Sequence, residues 1–113
     1  MNRGDVVLVD WPFSDLTGSK LRPAIVVQAD YLTGLIDDTI YVKVTGRRFG
    51  IPGTEVEIDP ASERSSGLLK VSYASCKDLL TRDQMLVHHV LGILSNTTLH
   101  QIDDCLKKVL ELP

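Results

Sequence analysis

Arg22 stands directly before Pro23 and opens the apolar run Pro23–Val27. A residue preceding proline is pushed out of the helical region into an extended conformation. Proline is tolerated at the first position of a strand, where its missing N–H breaks no ladder bond. The pair therefore sets a permanent cation on stiffened backbone at the rim where a polar stretch, Trp11–Leu21, meets a strand. A guanidinium held in this way suits a phosphate or carboxylate, to which it donates two parallel hydrogen bonds. Thr45 lies beside Lys43 on the outward face of the alternating segment Thr39–Thr45, just before Gly46, and its hydroxyl is a second donor. Lys20, Lys43, Arg47 and Arg48 add cations in the same two stretches. Phe13 and Phe49 add flat rings of the kind that stack unpaired bases. Fixed cations and donors of this kind stabilise negative charge on a bound phosphate, and no metal or cofactor is expected.

Each of these residues also has a plainer reading. Arg22 could be a surface arginine paired with an aspartate, Thr45 an ordinary strand threonine, and the loop cations solvated charges. Proton transfer is the weakest part of the pattern. Asp10, Asp15 and the pair His88-His89 are the titratable candidates, and histidine titrates near neutrality. One of two adjacent strand histidines is expected to face inward, so no base is assigned. Asp78, Thr81 and Arg82 form a third polar segment expected along the same groove, and Trp11 is expected to anchor the long loop.

The elements that must position these groups read as mainly β. A chain of 113 residues makes one domain, 1–113, with room for a core that needs no staples. Val6–Val9 and Pro23–Val27 are short β-branched runs, and Thr39–Thr45 and Glu55–Ile58 alternate with period two. Asp59–Gly67 is a turn-rich return, Leu68–Tyr73 a fifth strand and Leu86–Leu94 a sixth, in which Gly92 suggests a bulge or a close backbone approach. Leu99, Ile102, Leu106, Val109 and Leu110 then recur at helical spacing after Ser95, a fitting N-cap, with Thr98 and Gln101 as a second capping option. Five or six short strands and one terminal helix predict a small, partly open β-barrel with a helix packed on it. Cys76 and Cys105 match no zinc spacing and read as reduced thiols, Cys105 as a packing residue. The net charge of −3 argues against a general nucleic-acid binder, but Glu55, Glu57, Asp59 and Glu63 form a separate acidic stretch that leaves room for a local basic groove. No signal peptide or membrane span is read, which makes the cytoplasm the expected location.

The strand Arg3–Asp10 (RGDVVLVD) followed by Arg22–Val27 (RPAIVV) resembles the opening of the MazF/PemK family of toxin endoribonucleases. The likeness runs on through Thr45 to the segment Leu91–Ser95 and the last helix, covering nearly the whole chain. It implies an SH3-like barrel, a homodimer with an RNA groove across its interface, and a catalytic Arg22 and Thr45. It also implies metal-independent, sequence-specific cleavage of single-stranded mRNA, leaving a 2′,3′-cyclic phosphate and a 5′-hydroxyl. The implied partner is a cognate antitoxin with a disordered tail, acidic and apolar, that folds into the groove. Many family members carry a glutamate where this chain has Thr17. That departure, with the negative net charge, motivates an alternative: a catalytically weak or inactive barrel acting as a binding or inhibitor module, as the related CcdB-like proteins do.

Overall fold

A computed structural model describes residues 1–113. Six strands, β1 (Asp5–Pro12), β2 (Ser19–Val26), β3 (Asp38–Thr45), β4 (Glu55–Ile58), β5 (Ser72–Asp83) and β6 (Val87–Ile93), join one antiparallel sheet in the order β4-β5-β3-β2-β1-β6. The two ends of the sheet, β4 and β6, do not pair, so the barrel stays open, as the strand pattern predicts. A one-turn helix, α1 (Asp30–Thr33), follows β2, and a longer one, α2 (Asn96–Val109), ends the chain.

Alternation makes two cores. On one face Val6, Ile25, Val42, Ile58 and Ala74 pack with Ile102 and Cys105 of α2. On the other Val7, Val9, Trp11, Ala24, Val26 and Tyr41 form a second cluster. Each fully buried valine or isoleucine contributes about 1.5–3 kcal/mol. Thr39 and Tyr41, expected on an outward face, are therefore fully buried, because the curved sheet closes over that end of β3. Lys43 and Thr45, at the other end of the same face, stay partly exposed.

Two boundaries and one burial differ from the expected ones. The polar stretch after β1 shrinks to residues 13–18, so Arg22 and Pro23 lie inside β2 rather than at its start. Pro23 is tolerated there because β2 pairs only with β1 until Ala24 meets Lys43. The fifth strand is not Leu68–Tyr73 but Ser72–Asp83. Its ladder to β3 slips between Val42 and Lys43, which shifts the phase of the apolar pattern and hides the strand's second half. Neither His88 nor His89 is buried, since both sit on an edge strand whose own register shifts there.

The opening Arg3-Gly4-Asp5 motif is a clamp. The Arg3 backbone N–H donates to Asp30 Oδ1 at 2.7 Å and its Nε to the Val27 carbonyl at 2.9 Å, while its terminal nitrogen pairs with Asp103 on α2. Gly4 adopts φ +95°, and its N–H and carbonyl bond to Val26 and Leu94, which ties the ends of β2 and β6.

Glu63 does similar work at the start of α2. Ser95 caps the helix by accepting the Thr98 N–H, and its own hydroxyl and N–H donate to the Glu63 carboxylate at 2.6 and 3.2 Å. Burial alone would push the Glu63 carboxyl up, but the donors from Ser95 and Thr98 outweigh it and hold it below its ordinary value. The charged form is thus favoured by folding. Its stabilisation is complete above the ordinary carboxylate range and is lost as pH falls through the lowered folded value. Glu63→Gln should cost about 1–2 kcal/mol at neutral pH. Denaturant unfolding at a series of pH values should show that difference shrinking in acid; a constant difference would contradict the assignment.

Candidate nucleic-acid interface

β2 and β3 pair only at Ala24↔Lys43, Ile25↔Val42 and Val26↔Tyr41. Beyond Ala24 and Lys43 the two strands part, Arg22 pairing with Val9 on β1 and Thr45 with Tyr73 on β5. Residues two apart on a strand share a face. Arg22, Lys43 and Thr45 therefore belong to the face of Val9, Ala24 and Tyr41, and the same register continued would set Arg22 across from Thr45. A hollow of about 260 Å³ is lined by Trp11, Pro12, Phe13, Ser14, Arg22 and Lys43.

The hollow thus gathers Arg22, Lys43 and Phe13. Arg22 is half-buried and makes no ion pair or side-chain hydrogen bond within the protein, which rules out the aspartate-paired reading. Lys43 Nζ lies 3.6 Å from Asp78 Oδ2. Trp11 is only 8% exposed, so it both anchors β1 in the second core and walls the hollow. The loop from Phe13 to Gly18 is compact: the Phe13 N–H donates to the Gly18 carbonyl at 2.8 Å, and a side chain on Gly18 would touch the Phe13 ring.

Other candidates stand apart from the lining. Lys20 pairs with Trp11 on the ladder and is exposed, outside the hollow. Thr45 closes β3, and its Oγ1 accepts the Arg47 N–H at 3.2 Å, which leaves the hydroxyl proton to donate elsewhere. Arg47, Arg48 and Phe49 follow on a loop held by Glu55, whose carboxylate accepts the N–H groups of Phe49 and Gly50 at 3.0 and 2.8 Å. Arg48 Nε is 3.7 Å from the same carboxylate. Burial would raise the Glu55 carboxyl, yet these donors, with Arg48 and Lys77 nearby, hold it below its ordinary value. The acidic stretch is thus not separate from the basic one; Glu55 is folded beneath it. Phe49 is half-exposed, with Lys77 Nζ 3.8 Å from its ring centroid and the Arg47 guanidinium 5.7 Å away.

The proton-transfer candidates do not converge on the hollow. Asp10 and His88 pair with each other at 3.3 Å, and Asp10 points to the face opposite that of Val9 and Arg22. Asp15 accepts the N–H and hydroxyl of Thr17 at 3.1 and 2.7 Å, and these bonds lower its carboxyl below the ordinary value. Of the third polar segment only Asp78 reaches Lys43; Thr81 and Arg82 pair with Ile40 and Thr39 at the far end of β3. Sequence reasoning missed Glu55, Ser75 and Lys77. The available signal for the last was the charged pair Lys77-Asp78 set between Cys76 and the apolar Leu79-Leu80.

A sequence profile of the PemK-like, MazF-like toxins of type II toxin–antitoxin systems matches residues 2–110. The chain belongs to this family. Solved structures agree in fold with this PemK/MazF-like toxin. A mycobacterial endoribonuclease in complex with its cognate antitoxin superposes with a TM-score of 0.82 at 23% identity, covering 100% of this chain and 97% of that one. MazE–MazF from Deinococcus radiodurans gives 0.78 at 19% identity, covering 100% and 98%. The Mycobacterium tuberculosis toxin MazF-mt6 gives 0.75 at 18% identity, covering 95% and 98%. No curated protein matches the chain by sequence. No helix is long and apolar enough to cross a membrane.

Proposed function

We propose that this PemK/MazF-like toxin is a sequence-specific, metal-independent endoribonuclease that cuts single-stranded mRNA. One observation carries the reading: a half-buried guanidinium with no partner in the protein, Arg22, faces the same open hollow as the Lys43 ammonium. An anion completes such a site. In the reaction the RNA 2′-oxygen attacks the adjacent phosphorus and loses its proton, while the bond from phosphorus to the 5′-oxygen breaks and that oxygen gains a proton. The products are a 2′,3′-cyclic phosphate and a 5′-hydroxyl. Arg22 stabilises the charge on the five-coordinate phosphoryl group, and the Thr45 hydroxyl, at the end of β3 outside the hollow's lining, is the second, neutral donor. Lys20, Lys43, Arg47 and Arg48 hold flanking phosphates, and Phe13 and Phe49 stack bases.

The chain works in the cytoplasm as a homodimer and is silenced by an antitoxin whose acidic, apolar tail occupies the RNA groove. Support comes from the structural neighbours solved with their antitoxins. The purified protein, freed of antitoxin and incubated with chelator and a long single-stranded RNA, should cut it at a limited set of sites. RNA left intact would contradict the proposal.

A further inference from the structure

β5 carries an insertion opposite β3. Lys43 pairs with Ser75 and Val42 with Leu79, so Cys76, Lys77 and Asp78 face no residue of the neighbouring strand. Bulges of this kind re-aim side chains, and here the bulge gathers polar groups on the face of the hollow. Asp78 Oδ2 accepts the Ser75 hydroxyl at 2.7 Å and the Lys77 ammonium at 2.8 Å, and it lies 3.6 Å from Lys43 Nζ. Lys43 lines the hollow, and Lys77 sits against the Phe49 ring. One carboxylate oxygen therefore links both places. The side chains are 20% exposed for Lys43, 29% for Lys77 and 28% for Asp78, so the group is only partly open to bulk water. A carboxylate on an anion-binding face opposes affinity unless it serves the cations around it.

We propose that Asp78 is a positioning residue for RNA: it fixes Lys43 at the phosphate hollow and Lys77 beneath Phe49, setting one phosphate and one stacked base at a defined separation. The inference rests on the nuclease reading above and concerns how RNA is held, not how it is cut. Burial would raise the Asp78 carboxyl, but its bonds to Lys77 and Ser75 and the Lys43 charge lower it, so it stays ionised across the neutral range.

Asp78→Asn keeps the side chain's size and removes its charge. Electrostatics alone predicts tighter RNA binding from that change. The positioning role predicts the reverse: about tenfold weaker binding of an RNA made uncleavable by 2′-deoxy substitution, the size expected for losing one charged hydrogen-bond set. KM should rise by a similar factor with kcat within about twofold, and Asp78→Glu should recover part of the loss. A second readout needs no RNA. In the free protein the Lys77 Hε resonances should lie upfield from the Phe49 ring current, and Asp78→Asn should return them to ordinary lysine positions while those of Lys70 stay put. Folded Asp78→Asn with equal or tighter RNA binding, or with unmoved Lys77 resonances, overturns the proposal. If that variant does not fold, Ser75→Ala removes a donor to Asp78 without changing charge and should weaken binding about threefold; no change then overturns it. If the wild type cuts RNA, Arg22→Ala does not, and Asp78→Asn equals wild type, only the positioning role falls. If the wild type neither binds nor cuts single-stranded RNA, both readings fall.

Discussion

Arg22→Ala should lower RNA cleavage by about 100- to 1,000-fold, the loss typical of deleting one preorganised donor to a developing negative charge. The effect should appear in kcat, because the guanidinium is used most when charge builds on phosphorus. Arg22→Lys should recover little. An ammonium keeps the charge but loses the planar fork that meets two phosphoryl oxygens together. Stability should barely move, since the Arg22 side chain makes no bond within the protein and its ladder to Val9 is formed by backbone. Thermal melting beside single-turnover cleavage separates the two effects. A variant that cuts at the wild-type rate would remove Arg22 from the reaction, and one that melts far below wild type would make it structural.

The largest stability effect should come from Gly92→Ala. A Cβ on Gly92 would lie 2.0 Å from the Ser65 carbonyl oxygen, and one on Gly67, at φ +74°, would lie 2.2 Å from the Leu91 carbonyl oxygen. The two bare glycines let the 3₁₀ turn Arg64–Ser66 lie directly on β6. These clashes are with backbone, which cannot swing aside as a side chain would. The substitution should cost about 3 kcal/mol or more and lower the melting temperature by more than about 10 °C. Gly34→Ala is the control: nothing lies within 4 Å of its would-be Cβ, so stability should hold or rise slightly. Equal melting of the two variants would mean that the turn and strand are farther apart than described. The same contact also positions Glu63, so the Gly92 variant should loosen the start of α2.

What was legible in the chain was local. The strand at β3, the helical spacing of Leu99, Ile102, Leu106 and Val109 and the Ser95 cap each depend on neighbours a few residues away and are found where the pattern puts them, whereas Leu110, read as part of the same stripe, lies just past the helix and is half-exposed. Arg22-Pro23 was legible as chemistry because proline restricts its predecessor wherever the pair sits. The misplaced features depend on contacts between distant segments. The course of β5 was hidden because a bulge shifts the phase of its pattern at Lys77-Asp78. Tyr41 reads as outward until the curved sheet brings Val9 and Trp11 over it. Glu55 reads as part of an acidic run until the loop Gly46–Thr54 folds back and hands it the N–H groups of Phe49 and Gly50. Within the candidate site, residue types were therefore readable one by one, whereas their partners were not. Asp10 and His88 show this most plainly: both were candidates for proton transfer, and the fold pairs them on the wrong side of the sheet.

Under the proposed mechanism, a lone guanidinium in an open hollow drives attack of an RNA hydroxyl on its own phosphodiester. The most direct measurement is the chemistry of the cut ends. A defined single-stranded RNA, incubated with the wild-type protein in chelator, should yield fragments ending in 2′,3′-cyclic phosphate and beginning with 5′-hydroxyl. A single 2′-deoxy substitution at the cut position should stop cleavage there. Fragments with 3′-hydroxyl and 5′-phosphate ends, or cleavage that survives the 2′-deoxy substitution, would contradict the account.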